Sequence, residues 1–197
     1  MTMKMRLVFL ICALMIVFSG AVSLCMADAP EPYEKKKQTV LKKYVTAQEA
    51  YVRWHQEPDA IHIIDCRTPE EYAYVGHAPM ARNIPSKLGE WDTMQGKMVT
   101  RDNPHFEKII QERFKKTDIL IVMCRSGSRS SESVNRLAAI GFQNVYTIID
   151  GFEGDMVKDR QSAYKGKRMR NGWKNALAPW TYESEPDLVY TLPVPAE

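Results

Sequence analysis

Residues 118–142, DILIVMCRSGSRSSESVNRLAAIGF, decide the fold. DILIVM, residues 118–123, is a short continuous apolar run, suited to a central strand buried on both faces. Val134, Leu137 and Ala138 then mark a helix, with Gly141 at its C-terminal end. Between strand and helix lie only Cys124 and the loop Arg125, Ser126, Gly127, Ser128 and Arg129. A strand that feeds directly into a helix is half of the repeating unit of parallel α/β sheets.

The same alternation extends outward from this stretch. Tyr44-Val45 offers a short strand. TAQEAYVRWHQ, residues 46–56, starts with Thr46 and Glu49 at capping-box spacing, and a helix is expected there with Ala50, Val52 and Trp54 to pack. AIHIID, residues 60–65, is isoleucine-rich and bounded by Pro58 and a turn after Arg67, as a buried strand would be. TPEEYAYVG, residues 68–76, repeats the helix start more clearly, with Thr68 as N-cap, Pro69 first and Glu71 three residues past the cap. HAPMARNIP, residues 77–85, reads as loop and short strand. SKLGEWDTMQGKMVTRD, residues 86–102, shows no stable period and is expected to be a long surface connection. NPHFEKIIQERFKK, residues 103–116, predicts an amphipathic helix capped by Asn103, with Pro104 in its first turn. NVYTII, residues 144–149, gives another strand, and DGFEGDMV, residues 150–157, a turn and short helix. The fold class is therefore α/β, a central parallel sheet flanked by helices on both faces. Ligands in such sheets bind at the carboxyl ends of the strands. Cys124 stands at one such end, and Asp65, Cys66 and Arg67 at another.

Composition frames this domain. Hydrophobic residues make up 45% of the 197, an ordinary share for one globular core with extras. The net charge of +3 is weak and scattered, without the basic stripe and interleaved aromatics of a nucleic-acid binder. Lys4 and Arg6 precede an uncharged apolar stretch from Leu7 to Cys25, with a natural break after Ala27. Residues 1–27 are expected to be a secretory signal, with an uncleaved anchor as the competing reading. Either way the domain is expected to be exported, most simply to the periplasm, touching a membrane only through that segment. Removing residues 1–27 takes away Lys4 and Arg6 and no acid, so the net charge falls from +3 to +1. Cys66 and Cys124 then remain, too few for a disulfide scaffold. Residues 28–43 read as a polar linker. No histidine has a partner at metal-ligand spacing, so no metal and no other cofactor is expected.

The loop after Cys124 carries the chemistry. Because it leads into a helix, several backbone N–H groups can converge above the sulfur, and the helix N-terminus reinforces them. Such a concave set of amides binds anions and stabilises a thiolate, and Arg125 and Arg129 push the same way. Gly127 supplies the backbone angles of a tight turn, and one turn of helix can return Arg129 to the loop. Ser126 and Ser128 either donate hydroxyls to the sulfur or cap the helix. A nucleophilic cysteine in an anion cradle suits attack on electron-poor sulfur or phosphorus through a covalent intermediate.

DCRTPEEYAYVGHAPMARNIP (65–85), CRSGSRS (124–130) and GFQNVYTIIDGFEG (141–154) together resemble a single-domain rhodanese, a sulfurtransferase, over residues 44–158. The resemblance implies the rhodanese-like fold and a role for Cys124 as a sulfur carrier. Cys124 would take sulfane sulfur from a donor such as thiosulfate or a persulfide, then pass it to cyanide, a small thiol or a protein acceptor. It also implies that the amides of residues 125–129 cradle the outer sulfur. Asp65 and Arg67 match the family's D-x-R strand end in a supporting role, and Glu71 and His77 match structural positions. Dual-specificity phosphatases of similar architecture carry a histidine before the cysteine and one residue more between cysteine and arginine. Here Met123 precedes Cys124, and the smaller ring fits a sulfur atom better than a tetrahedral phosphate.

Other readings share these residues. One is a catalytically idle rhodanese-fold module that binds a partner or a small anion; another is an exported thiol-redox protein using Cys66 with Cys124. Cys66 stands where the family more often has an apolar residue. It is read as a small packing residue, the sharper alternative being a resolving thiol whose strand neighbours that of Cys124; strand alternation could instead point it away. Glu71 stands where two-domain thiosulfate enzymes carry a substrate-binding arginine. Residues 159–197 extend past the family pattern. Their Trp173, Trp180, Tyr182 and Tyr190 either anchor the extension on the domain or belong to a cover over the Cys124 mouth.

Overall fold

The computed structural model describes residues 28–191. Its strands are β1 (Tyr44–Val45), β2 (Ile61–Asp65), β3 (Arg82–Asn83), β4 (Lys87–Asp92), β5 (Lys97–Asp102), β6 (Ile119–Met123) and β7 (Val145–Ile148). Five of them form one sheet in the order β1-β7-β6-β2-β3, with every neighbouring pair parallel. The helices α1 (Ala47–Gln56), α2 (Pro69–Val75), α3 (Phe106–Arg113) and α4 (Ser128–Ala139) surround it. The secretory signal or anchor expected at residues 1–27 lies outside the described residues. Among the described residues no helix is long and apolar enough to cross a membrane.

Strand alternation divides the core in two. Ile61 and Ile63 of β2 and Ile121 and Met123 of β6 face one side, where Ala47 and Ala50 of α1 pack and Val75 of α2 closes the edge. Ile64, Leu120 and Val122 face the other, against Phe106 and Ile110 of α3 and Val134 and Leu137 of α4. Both expected capping boxes are present. The Thr46 hydroxyl accepts from Glu49 N–H at 3.2 Å, while the Glu49 carboxylate accepts from Thr46 N–H at 2.7 Å. Thr68 and Glu71 repeat the exchange at 3.3 and 3.1 Å.

Four expectations are corrected. Residues 86–102 are not an irregular connection but the antiparallel hairpin β4–β5, paired from Lys87↔Asp102 to Asp92↔Lys97. Most of its side chains are partly or fully exposed, so no face is written in apolar residues and no period shows. Cross-strand charges hold it instead, including Lys87 with Asp102 at 2.9 Å and Arg101 with Glu90. The helix expected from Asn103 starts later, at Phe106 with His105 as N-cap. Asn103 is buried and turns its carbonyl to His105 N–H at 3.0 Å and its amide to Pro85 O at 2.8 Å, forming a turn before the helix. DGFEGDMV forms a turn without a helix, because Gly151 and Gly154 adopt φ of +64° and +82°. Residues 28–43 do not lead away as a linker. Ala29 N–H bonds Tyr44 O at 2.8 Å, Lys37 O accepts from Ser131 at 2.7 Å, and Val40 N–H reaches Asn135 at 2.8 Å, which seats the segment on β1 and α4.

The residues beyond 158 also join the domain. Trp173 is fully buried among the residues of the first core half, edge-on to Tyr51 at 5.9 Å, with its indole N–H on Pro179 O at 2.8 Å. His77 and Thr181 exchange backbone bonds at 2.9 and 2.8 Å, and Asn83 N–H donates to Leu188 O at 2.8 Å. Trp173→Ala is therefore expected to cost about 3–5 kcal/mol, as truncation of a buried tryptophan does, read as a lower midpoint in urea unfolding of the chain.

Candidate functional site

Cys124 follows the last residue of β6 and is 1% exposed, at the floor of a cleft of about 770 Å³. Gly127 shapes what lies above it. Its φ is +101°, and a Cβ there would stand 2.2 Å from Ile149 O, so no side chain fits. In this conformation Gly127 N–H points at Cys124 Sγ, 3.2 Å away. The turn after β7 holds the loop from behind. Phe152 N–H donates to Cys124 O at 2.7 Å and Glu153 N–H to Arg125 O at 3.0 Å. With those carbonyls drawn outward, the N–H groups of Arg125, Ser126, Ser128 and Arg129 meet no acceptor among the described residues. The cradle anticipated from the sequence is therefore a set of unpartnered amides at the start of α4, ready for an anion.

The charges around the sulfur form a chain. Arg129 donates both terminal nitrogens to the Glu71 carboxylate at 2.6 Å each, a bidentate pair between α4 and α2. Burial alone would weaken the guanidinium, but Glu71 raises its pKa. Burial likewise works against the Glu71 carboxylate and is outweighed by Arg129, Thr68 N–H and Arg67, so its pKa falls. At Cys124, burial pushes the thiol up. Hydrogen bonds with Cys66 and Ser130, the Arg129 charge and Ser130 N–H outweigh it and hold the pKa well below the ordinary thiol range. The balance favours the thiolate form of Cys124.

The expected site residues separate by position. Arg125, Ser126, Ser128 and Arg129 line the cleft with Cys124, and Gly127 supports it from beneath. Neither Ser126 nor Ser128 bonds the sulfur or caps α4, whose N-cap is Gly127; the hydroxyl that lies 3.5 Å from Sγ is Ser130's. Ser130 sits one helical step deeper and receives a bond from Thr147 at 2.9 Å. Asp65 and Arg67 do not reach the cleft. They form a fully buried ion pair at 2.6 Å, and Arg67 also bonds Gly76 O at 2.8 Å and lies 4.2 Å over the Phe152 ring. Their service is to fix the turns around the cysteine loop. His77 is buried on Tyr72, with its ring nitrogens on Tyr72 O and Glu183 O.

Several members of the site were missed in the sequence. Gly89, Met98, Val99 and Thr100 of the hairpin form one wall of the cleft, and Lys36 and Arg168 stand on its rim. The charge runs containing Lys36 and Arg168 carry no local sign of this. Glu71 was legible as a capping residue, and its second duty to Arg129 was not. Among the described residues, no three His, Cys, Asp or Glu side chains converge to hold a metal ion.

Arg129→Gln is expected to move the pH profile of Cys124 alkylation upward. The midpoint of the profile should rise, and at pH values below it the rate should fall about tenfold for each unit of pKa gained. Peptide-resolved labelling with iodoacetamide across pH checks this, and an unmoved profile would show that Arg129 does not set the thiolate.

Comparison with known proteins places this geometry in a family. A model described as "Rhodanese-like domain" matches residues 46–156. An "Uncharacterized protein RP600" of Rickettsia prowazekii is 32% identical over 120 residues, covering 61% of this chain and 82% of its own. "Thiosulfate sulfurtransferase 16, chloroplastic" of Arabidopsis thaliana is 35% identical over 89 residues, covering 45% of this chain and 68% of its own. The crystal structure of Rv0390 from M. tuberculosis superposes with a TM-score of 0.56 at 23% identity, covering 71% of this chain and 97% of that one, and supports the fold. With its parallel sheet, its cysteine loop and this match across more than half its length, the chain belongs to the rhodanese-like domain family.

Proposed function

We propose that this protein is a sulfurtransferase in which Cys124 carries sulfane sulfur as a persulfide. The observation that carries the reading is the amide cradle above the Cys124 sulfur, with Gly127 N–H 3.2 Å from it and its neighbours' N–H groups unpartnered. The name of the Arabidopsis relative points to the same chemistry in that protein.

With thiosulfate as donor, the Cys124 thiolate attacks the outer sulfur. The sulfur–sulfur bond of the donor breaks and sulfite leaves with the electron pair. The outer sulfur of the new persulfide then lies among the free amides, which stabilise its negative charge. A thiophilic acceptor such as cyanide attacks that sulfur, leaves as thiocyanate, and returns Cys124 to the thiolate. The cations Lys36, Arg125, Arg129 and Arg168 border the path and favour an anionic donor, opposed by Glu70 and Glu71. The four-residue spacing between Cys124 and Arg129 supports sulfur over phosphate as cargo. The basic and apolar character of residues 1–27 supports an exported site of action.

The full chain treated with thiosulfate is expected to gain one sulfur on Cys124 by peptide-resolved mass, and cyanide is expected to discharge it as thiocyanate. Cys124→Ser should show no adduct and only the uncatalysed rate of thiocyanate formation. If thiosulfate, polysulfide and a low-molecular-weight persulfide all leave Cys124 unmodified, the transferase reading fails and the site is an anion-binding one.

A further inference from the structure

The transfer cycle has no use for Cys66, yet the fold brings it to the reacting sulfur. β2 and β6 pair in parallel with Ile64 opposite Val122 and Asp65 opposite Met123, and Cys66 N–H extends the ladder to Met123 O at 2.8 Å. One step further along both strands, Cys66 stands beside Cys124. Alternation turns both side chains to the same side, into the core half shared with Ile64, Val122 and Val134. The possibility that alternation points Cys66 away from Cys124 is thereby removed. Neighbouring strands stand about 4.8 Å apart, within the range of about 4.4–6.8 Å between Cα atoms that a disulfide spans. No bridge joins the two cysteines, and Cys66 is fully buried, out of reach of any external acceptor.

We propose that Cys66 resolves the Cys124 persulfide, so that the protein releases hydrogen sulfide when no acceptor empties the site. This rests on the sulfur-carrier reading above. The Cys66 sulfur attacks Sγ of Cys124, and the bond from Sγ to the outer sulfur breaks. The outer sulfur departs as sulfide with the bonding pair and takes up the Cys66 proton. A Cys66–Cys124 disulfide remains. The sulfane sulfur is reduced and the cysteine pair oxidised, so no external oxidant enters. Two equivalents of a low-molecular-weight thiol reopen the bridge and leave as their own disulfide, restoring both protein thiols.

The placement of the two cysteines side by side in one core half fits this order of events. Burial and the neighbouring Cys124 push the Cys66 pKa up, and Cys66 in turn helps to lower that of Cys124. Once Cys124 carries sulfur, the negative charge moves out to the terminal atom among the loop amides, and the restraint on the Cys66 proton weakens.

The test loads the full chain with thiosulfate, removes excess donor, and follows sulfide release and peptide-resolved mass without acceptor or reductant. The wild type is expected to release one sulfide per persulfide and to end with a Cys66–Cys124 cross-link. Cys66→Ser and Cys66→Ala are expected to load more slowly, because Cys66 helps lower the Cys124 pKa; once loaded, they should keep the persulfide longer than the wild type and lose most of that sulfide release, the retained sulfur leaving as thiocyanate when cyanide is added. Persulfide as long-lived in the wild type as in these variants, or sulfide released without the cross-link, overturns the role of Cys66 while leaving sulfur transfer intact. Failure of both wild type and variants to take up sulfur overturns the carrier reading and this inference with it.

Discussion

The parallel pairing of β2 with β6 is the constraint on which the site depends. It runs in register from Ile61↔Ile119 to Asp65↔Met123, so the two strands end level with one another. Two turns leave from that common edge. One carries Cys66 and the Asp65–Arg67 pair, the other Cys124 and the amide loop. A shift of one residue would reverse every side chain across the sheet, burying polar groups in one core half and separating the cysteines. The isoleucines of β2 and the apolar run of β6 are sealed on both faces, which makes such a shift costly.

Around that edge, the architecture ties down three carbonyls of the cysteine loop. Cys124 O and Arg125 O are held by the turn after β7, and Gly127 O accepts from the Ser130 and Ser131 hydroxyls at 3.0 and 2.8 Å. Gly151 makes the close approach possible, because a Cβ there would lie 2.5 Å from Ser126 N. Segments flanking the family match then finish the surroundings. Trp173 fills one core half, and Lys36 and Arg168 reach the rim of the cleft. The family domain supplies the cysteine loop, while these flanks supply part of the electrostatic border of its cleft.

How much of this was legible follows from where each signal lies. The strands β2 and β6 and the capped helices α1 and α2 are local: a few isoleucines or a Thr-x-x-Glu spacing suffice. Cys124 and Gly127 are also local, because a strand, a cysteine and a glycine turn into a helix stand within ten residues of one another. The hairpin was not legible because its exposed faces impose no apolar alternation and its pairing rests on charges that read equally as loop. Ser130 was passed over for Ser126 and Ser128, which are nearer in sequence; helix geometry, and not chain distance, turns a hydroxyl toward the sulfur. The neighbours of Cys124 from elsewhere, Cys66 and the Glu71 behind Arg129, depend on strand order and helix placement. Neither is written in any window of the chain.

Those distant neighbours decide the chemistry of the sulfur. A buried thiol should be neutral, and the loop amides alone act against a large desolvation cost. Arg129 offsets that cost, but a free arginine of that length would spread over many rotamers and stay hydrated. Glu71 fixes it by a bidentate bond, and Glu71 is itself fixed, because Thr68 N–H binds the same carboxylate at 3.1 Å. The capping box of α2 thus orients Arg129, at the start of α4, one of the groups that lower the Cys124 pKa. Glu71 also limits the result: its negative charge offsets most of Arg129's at longer range, so the thiolate is stabilised locally without a strong field over the whole cleft. The proposed sulfur carrier, which would both accept sulfur and give it up, requires that balance, since too strong a cationic site would hold a persulfide and slow its transfer.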